Sequence, residues 1–167
     1  ILGVIFDGSS GDNDVYAEFE VLDYGYGPEP FLRDAFTLPN VGSFDMAEIQ
    51  GVAFLDGGAG AIAVTGGVDP GGSDSFVAVL NLVRSGVNPP TDANLVGSAS
   101  LGSSGLGLLN NAPGGITWDG TNLLVSAFQT DPSGQVTIAK TSPDFVTTSS
   151  FQTTLGVAGV GGFVAVG

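Results

Sequence analysis

Three acids and an amide crowd one short loop near the start of the chain: Asp7, Asp12, Asn13 and Asp14, set among Gly8, Ser9, Ser10 and Gly11. Hard oxygen donors at that density are what a Ca²⁺ ion needs. Asp7, Asp12 and Asp14 are therefore the candidate metal ligands, and calcium the candidate ion. Asp12-x-Asp14 opens an EF-hand spacing, but the glycine and glutamate that complete it do not follow. An ordinary Asx turn accounts for the same residues. Asp69 and Asp74 bracket a second loop of the same kind.

Paired carboxylates are the other candidate chemistry, because two of them across a cleft hydrolyse glycosides. Glu18 and Glu20 share one face of an alternating segment, and Asp45 and Glu48 follow in sequence. The alternation favours a solvated strand face for the two glutamates. Aromatic rings that stack on sugars form a third possibility, with Tyr16, Tyr24, Tyr26 and Trp118 available. Tyr24-Gly25-Tyr26-Gly27-Pro28 reads as an exposed turn, so Tyr24 and Tyr26 are the candidate ligand-binding residues. Gly58-Ala59-Gly60-Ala61-Ile62-Ala63 imitates a dinucleotide fingerprint. That motif needs a helix directly after it, and Thr65-Gly66-Gly67 breaks the segment at once.

Several activities are excluded by what is missing. The 167 residues contain no histidine and no cysteine. Ser-His and Cys-His nucleophiles, histidine-ligated zinc, disulfides and thiolate sites cannot form. The net charge is −14, from 17 acidic and 3 basic residues. Arg33, Arg84 and Lys140 cannot neutralise a phosphate backbone, so nucleic acid is excluded as a partner. An anionic membrane surface is disfavoured on the same ground. No apolar run reaches the ~20 residues that span a bilayer, and no signal-peptide pattern is visible. No N-x-S/T acceptor for N-glycosylation occurs.

The elements that must position these residues are strands. Hydrophobic residues make up 43% of the chain, charged residues 12%, and there are 28 glycines. That mixture suits short strands joined by tight turns. Val15 to Val21 alternates strictly, and Phe76 to Val83 is apolar throughout except at Asn81. Gln135 to Lys140 alternates again. Asp45-Met46-Ala47-Glu48 reads as a capping box for one short helix.

One phrase recurs. Gly3-Val4-Ile5-Phe6-Asp7-Gly8 returns as Gly51-Val52-Ala53-Phe54-Leu55-Asp56-Gly57 and as Gly115-Ile116-Thr117-Trp118-Asp119-Gly120. Each copy is an apolar strand closed by an aromatic and an Asp-Gly turn. A second strand follows at Val15–Phe19, Ala61–Thr65 and Leu123–Ala127. A third lies at Phe19–Tyr24, Ser75–Val83 and Gln135–Thr141, and a fourth at Ala35–Leu38, Leu95–Leu101 and Phe151–Leu155. The units span 3–50, 51–114 and 115–158, within a single domain 1–167. Gly159 to Gly167 resembles the opening of a fourth. Four short antiparallel strands per repeat is the blade of a β-propeller. Trp118 stands where Phe6 and Phe54 stand, so it belongs to the core.

Thr137-Ile138-Ala139-Lys140-Thr141-Ser142-Pro143-Asp144 resembles the strand and Ser-x-Asp turn of the BNR, or Asp-box, β-propeller repeats. Phe151 to Leu155 and Gly162 to Gly167 resemble the strands that follow. The likeness is best over 115–167. It implies a structural turn between the outer strands of a blade. Val146 and Ser150 stand near the places of the family's later Gly and Trp. Sialidases, the best-known enzymes of the family, resemble a site built on three arginines, and this chain has only Arg33 and Arg84.

The expectation is an all-β protein of blade-like four-stranded repeats, with a sandwich or jelly roll as the alternative architectures. The function expected is non-catalytic: a structural or adhesive protein of a virion, fibre or surface layer, extracellular or on a particle surface. Its partners would be further copies of itself or other structural proteins. A carbohydrate-binding module, calcium-assisted or not, is the alternative, and a carboxylate-dependent glycosidase the second.

Overall fold

The computed structural model describes residues 2–6, 13–40, 49–55, 60–67, 75–86, 88–102, 105–108, 113–127 and 135–154. The proposed helix at 45–48, Asp7 and Asp12, the loop from Asp69 to Asp74, and the fourth-unit segment 159–167 lie outside them. Among the described residues every regular element is a strand.

Each repeat folds as its own antiparallel meander. The first sheet holds β1 (Leu2–Phe6), β2 (Val15–Asp23) and β3 (Pro28–Thr37). The second holds β4 (Ile49–Leu55), β5 (Ala61–Gly66), β6 (Phe76–Val83) and β7 (Asp92–Ser100) in that order. The third holds β8 (Pro113–Trp118), β9 (Leu123–Ala127), β10 (Gln135–Thr141) and β11 (Thr148–Thr154). All three sheets are open, and the all-β expectation holds.

The four-strand expectation fails in the first unit. Val15–Phe19 and Phe19–Tyr24 are one continuous strand, β2, and Ala35–Leu38 is the end of β3. No turn former lies between Val15 and Leu22, so the chain cannot reverse there. It reverses instead at Tyr24–Gly27.

The three sheets stack. One buried cluster joins Tyr16 and Leu38 of the first unit to Ile62, Val64, Phe76, Ala78 and Leu80 of the second. Another joins Ala53, Ala63, Val77 and Val79 of the second to Ile116, Leu123, Val125 and Ala139 of the third. The second sheet is therefore covered on both faces. This explains why Phe76 to Leu80 is buried at every position. A strand with both faces covered has no polar side to alternate with.

Opening-strand glycines set how closely the sheets approach. A Cβ on Gly3 would lie 2.5 Å from Phe54 Cζ and 2.7 Å from Tyr16 Oη. One on Gly51 would lie 2.6 Å from Thr65 Oγ1 and 3.0 Å from Ile116 Cγ2. Any larger residue would force the Phe54 and Tyr16 rings, or the Thr65 and Ile116 side chains, to shift.

Candidate functional site: an aromatic hairpin on a buried ion-pair cluster

β1 pairs with β2 only as far as Leu2 against Phe19. Beyond Phe19, β2 and β3 continue as a two-stranded hairpin to Asp23 against Pro28. Its tip is shaped by local chemistry. The Gly25 N–H donates to Asp23 Oδ1 at 2.8 Å, an Asx turn. Gly25 and Gly27 have φ of 87° and 115°, which L side chains rarely adopt. Between them Tyr26 is 96% exposed, and Tyr24 is 60% exposed. Tyr24 packs edge-on against Phe31 with ring centroids 5.7 Å apart. Pro28 and Pro30 lie on the edge strand and have no N–H to offer an incoming strand. Glu20, Asp23 and Glu29 place exposed acids among the rings.

The root of the hairpin is an ion-pair cluster. Glu18, expected on a solvated face, is wholly buried. The Arg33 Nη1 donates to Glu18 Oε1 at 2.9 Å, and Arg84 Nη2 donates to Glu18 Oε2 at 2.5 Å. Arg84 Nη1 also reaches Oε1 at 3.3 Å. Arg33 is the extra residue of a bulge in β3, because Glu18 faces Asp34 while Phe19 faces Leu32. Arg84 directly follows β6, so the cluster ties the first sheet to the second. Tyr16, offered above as a sugar-stacking ring, is also buried here. Burial holds its hydroxyl above the ordinary 10.0, and the Glu18 charge adds to this while Arg84 opposes it. The hydrogen bond to Glu18 raises Arg84, its burial working the other way.

Glu18 and Glu20 do not converge on a cleft. Glu18 has both oxygens on guanidinium donors, whereas Glu20 stands exposed on the hairpin. Asp45 and Glu48 lie outside the described residues.

Asp14 alone of the candidate calcium ligands is described. It is buried, and its Oδ2 accepts the Ile49 N–H at 2.7 Å. Its own carbonyl accepts the Leu38 N–H at 2.9 Å. Asn13 Nδ2 donates to the Leu38 carbonyl at 2.8 Å and to Asn40 Oδ1. Asp14 thus clamps the start of β2 to the start of β4. Among the described residues no group of three acids gathers as a metal site, and no helix is long and apolar enough to cross a membrane.

The Ser142–Asp144 turn lies between β10 and β11, the last two strands of its sheet. Ser142 Oγ donates to Asp144 Oδ1 at 2.5 Å and accepts the Thr147 N–H at 3.0 Å. Asp144 Oδ1 also accepts the Val146 N–H at 3.2 Å. These bonds lower the Asp144 carboxyl below the ordinary 3.8, the Ser142 hydroxyl first. Phe145, at φ 60°, lies over Gly97 of β7, 3.1 Å from where a Cβ would stand. The turn is thereby packed on the second sheet. At Asp119-Gly120 the carboxylate accepts the N–H groups of Asn122 and Thr121 at 2.6 and 2.8 Å. Lys140 lies 3.3 Å from its other oxygen.

One further surface was not read from the sequence. Leu2, Val4 and Phe6 share the outer face of the first sheet with Val15, Ala17 and Phe19. Leu32, Ala35 and Thr37 extend it across β3. None of these residues is charged. The recurring phrase carried the signal, since alternation puts Phe6 opposite in direction to Gly3.

No protein-family model, no curated protein and no solved structure matches this chain.

Proposed function

We propose that this chain is a non-catalytic structural or adhesive component, built of blade-like repeats and working through assembly with further copies or with other structural proteins. The observation that carries the reading is the stack itself. Three antiparallel meanders, the first of three strands and the others of four, pack face on face, and the first presents an apolar outer face around Phe6. Repeat units of this kind bury a continuous core only against neighbours.

The propeller form of the reading is supported by the strand order of the second and third sheets. It is also supported by the Ser142–Asp144 turn, which joins the last two strands as the Asp-box resemblance implies. A particle surface or an extracellular layer is the setting we propose. A strongly acidic, Lys-poor chain, kept in solution by its net charge of −14, suits it.

Native mass spectrometry over a concentration series, with and without a calcium chelator, tests this. A closed oligomer or filament is expected. A strict monomer throughout the series overturns it.

A second reading, a carbohydrate-binding module, is favoured by Tyr24 and Tyr26 at the hairpin tip. On a glycan array, a signal lost in Tyr24→Ala and Tyr26→Ala supports it. A blank array in millimolar calcium removes it.

A further inference from the structure

We infer that the outer face of the first sheet is a docking face for a second copy of this chain, with Phe6 at its centre. This rests on the reading that the chain works by assembly, and names the surface and the partner.

The repeat shows what the face is for. The aromatic that closes an opening strand points toward the preceding sheet. Phe54 of β4 lies over Gly3 of β1, within the core shared by the first and second sheets. Trp118 of β8 packs into the core shared by the second and third. Phe6 holds the same place in β1. Gly3 and Ile5 face the second sheet, so strand alternation turns Phe6 the other way. Among the described residues no sheet precedes β1, and Phe6 is 47% exposed.

The face is prepared for contact. Phe6 and Phe19 pack edge to face, ring centroids 6.2 Å apart, across Ala17, which is buried beneath. Preformed aromatic pairs lose little freedom on docking. Leu2 beside them is 48% exposed.

The occupant follows from charge and from fit. Two molecules of net charge −14 repel each other wherever their acids meet. The part of this face built by Leu2, Val4, Phe6, Val15, Ala17 and Phe19 carries no charge, Asp23 standing farther along β2, so it is where like molecules approach at least cost. The surface known to complement such a face is another sheet of the same repeat, as happens twice within the chain.

The absence of cysteine allows a clean test. Sedimentation velocity over a concentration series is run on the wild type, Phe6→Glu, Leu2→Glu and Val146→Glu. In parallel, a Val4→Cys variant carries a polarity-sensitive dye. Melting curves confirm that each variant is folded. The wild type is expected to associate, with a blue shift of the dye. Phe6→Glu and Leu2→Glu should each raise the midpoint concentration by at least about tenfold, the loss expected of one hot-spot residue. Val146→Glu adds the same charge at an exposed side chain of the third sheet's turn and should behave as wild type.

Association unchanged in both face variants overturns this inference and leaves the assembly reading standing. A wild type monomeric at every concentration overturns both if the dye reports water. If the dye then reports an apolar surrounding, the chain covers its own face and the second copy is refuted.

Discussion

Replacing Glu18 by Gln keeps the shape of the side chain and removes its charge, leaving two guanidiniums around a neutral amide. Removing one partner of a buried ion pair destabilises by about 3–5 kcal/mol. Arg33 and Arg84 side chains are 22% and 18% exposed, so water recovers part of their solvation. The lower end, about 3 kcal/mol, is therefore expected. For a domain of this size each kcal/mol moves Tm by about 2–4 °C, so the midpoint should fall by roughly 6–12 °C. Thermal and urea unfolding, followed by circular dichroism and by Trp118 fluorescence, give the value. Glu20→Gln, on the exposed hairpin, is the control and should stay within about 0.5 kcal/mol of wild type. Arg84→Met combined with Glu18→Gln should fall short of the summed single losses, because the two residues share one interaction. A Glu18→Gln variant as stable as the control would refute the claim that this cluster fastens the first sheet to the second.

Gly3→Ala forces a Cβ against Phe54 and the Tyr16 hydroxyl, and should destabilise by about 1–3 kcal/mol in urea unfolding, as overpacking does. Phe145→Ala removes a half-buried ring from the contact with Gly97 and should lose about 2 kcal/mol, roughly half of a fully buried aromatic truncation. At alkaline pH the Tyr16 hydroxyl, raised in the folded state, resists ionisation while the unfolded chain ionises from 10.0 upward. Its contribution is therefore complete below pH 10 and fades as pH climbs toward the folded value. Absorbance at 295 nm should show one late tyrosine ionisation that coincides with unfolding and disappears in Tyr16→Phe. Asp144 runs the other way: its lowered carboxyl stabilises the turn above 3.8 and stops doing so as pH falls below that, so Asp144→Asn should flatten the acid limb of a Tm-versus-pH curve.

Much of the architecture was legible because it is local. The opening phrase, the Asp119-Gly120 turn and the apolar run of β6 each declare themselves within a few residues. The exposure of Tyr24 and Tyr26 followed from the glycines beside them. The fate of Glu18 did not. Alternation says which residues share a face, but not what covers that face. The cover is Arg84, sixty-six residues on. The fused β2 was missed for a different reason. The repeat pattern assigns two strands to this stretch of the first unit, but no turn former stands before Tyr24 to separate them. The apolar outer face became visible only when the direction of Phe54 and Trp118 fixed that of Phe6.

Hydrogen exchange by backbone amide tests the layered stack most directly. β5 and β6, covered on both sides, should exchange slowest, and residues 20–31 of the projecting hairpin fastest. As concentration rises, β1 and the first half of β2 should gain protection. Amides of β6 exchanging as fast as those of the hairpin would contradict the stack, because no middle layer would then exist.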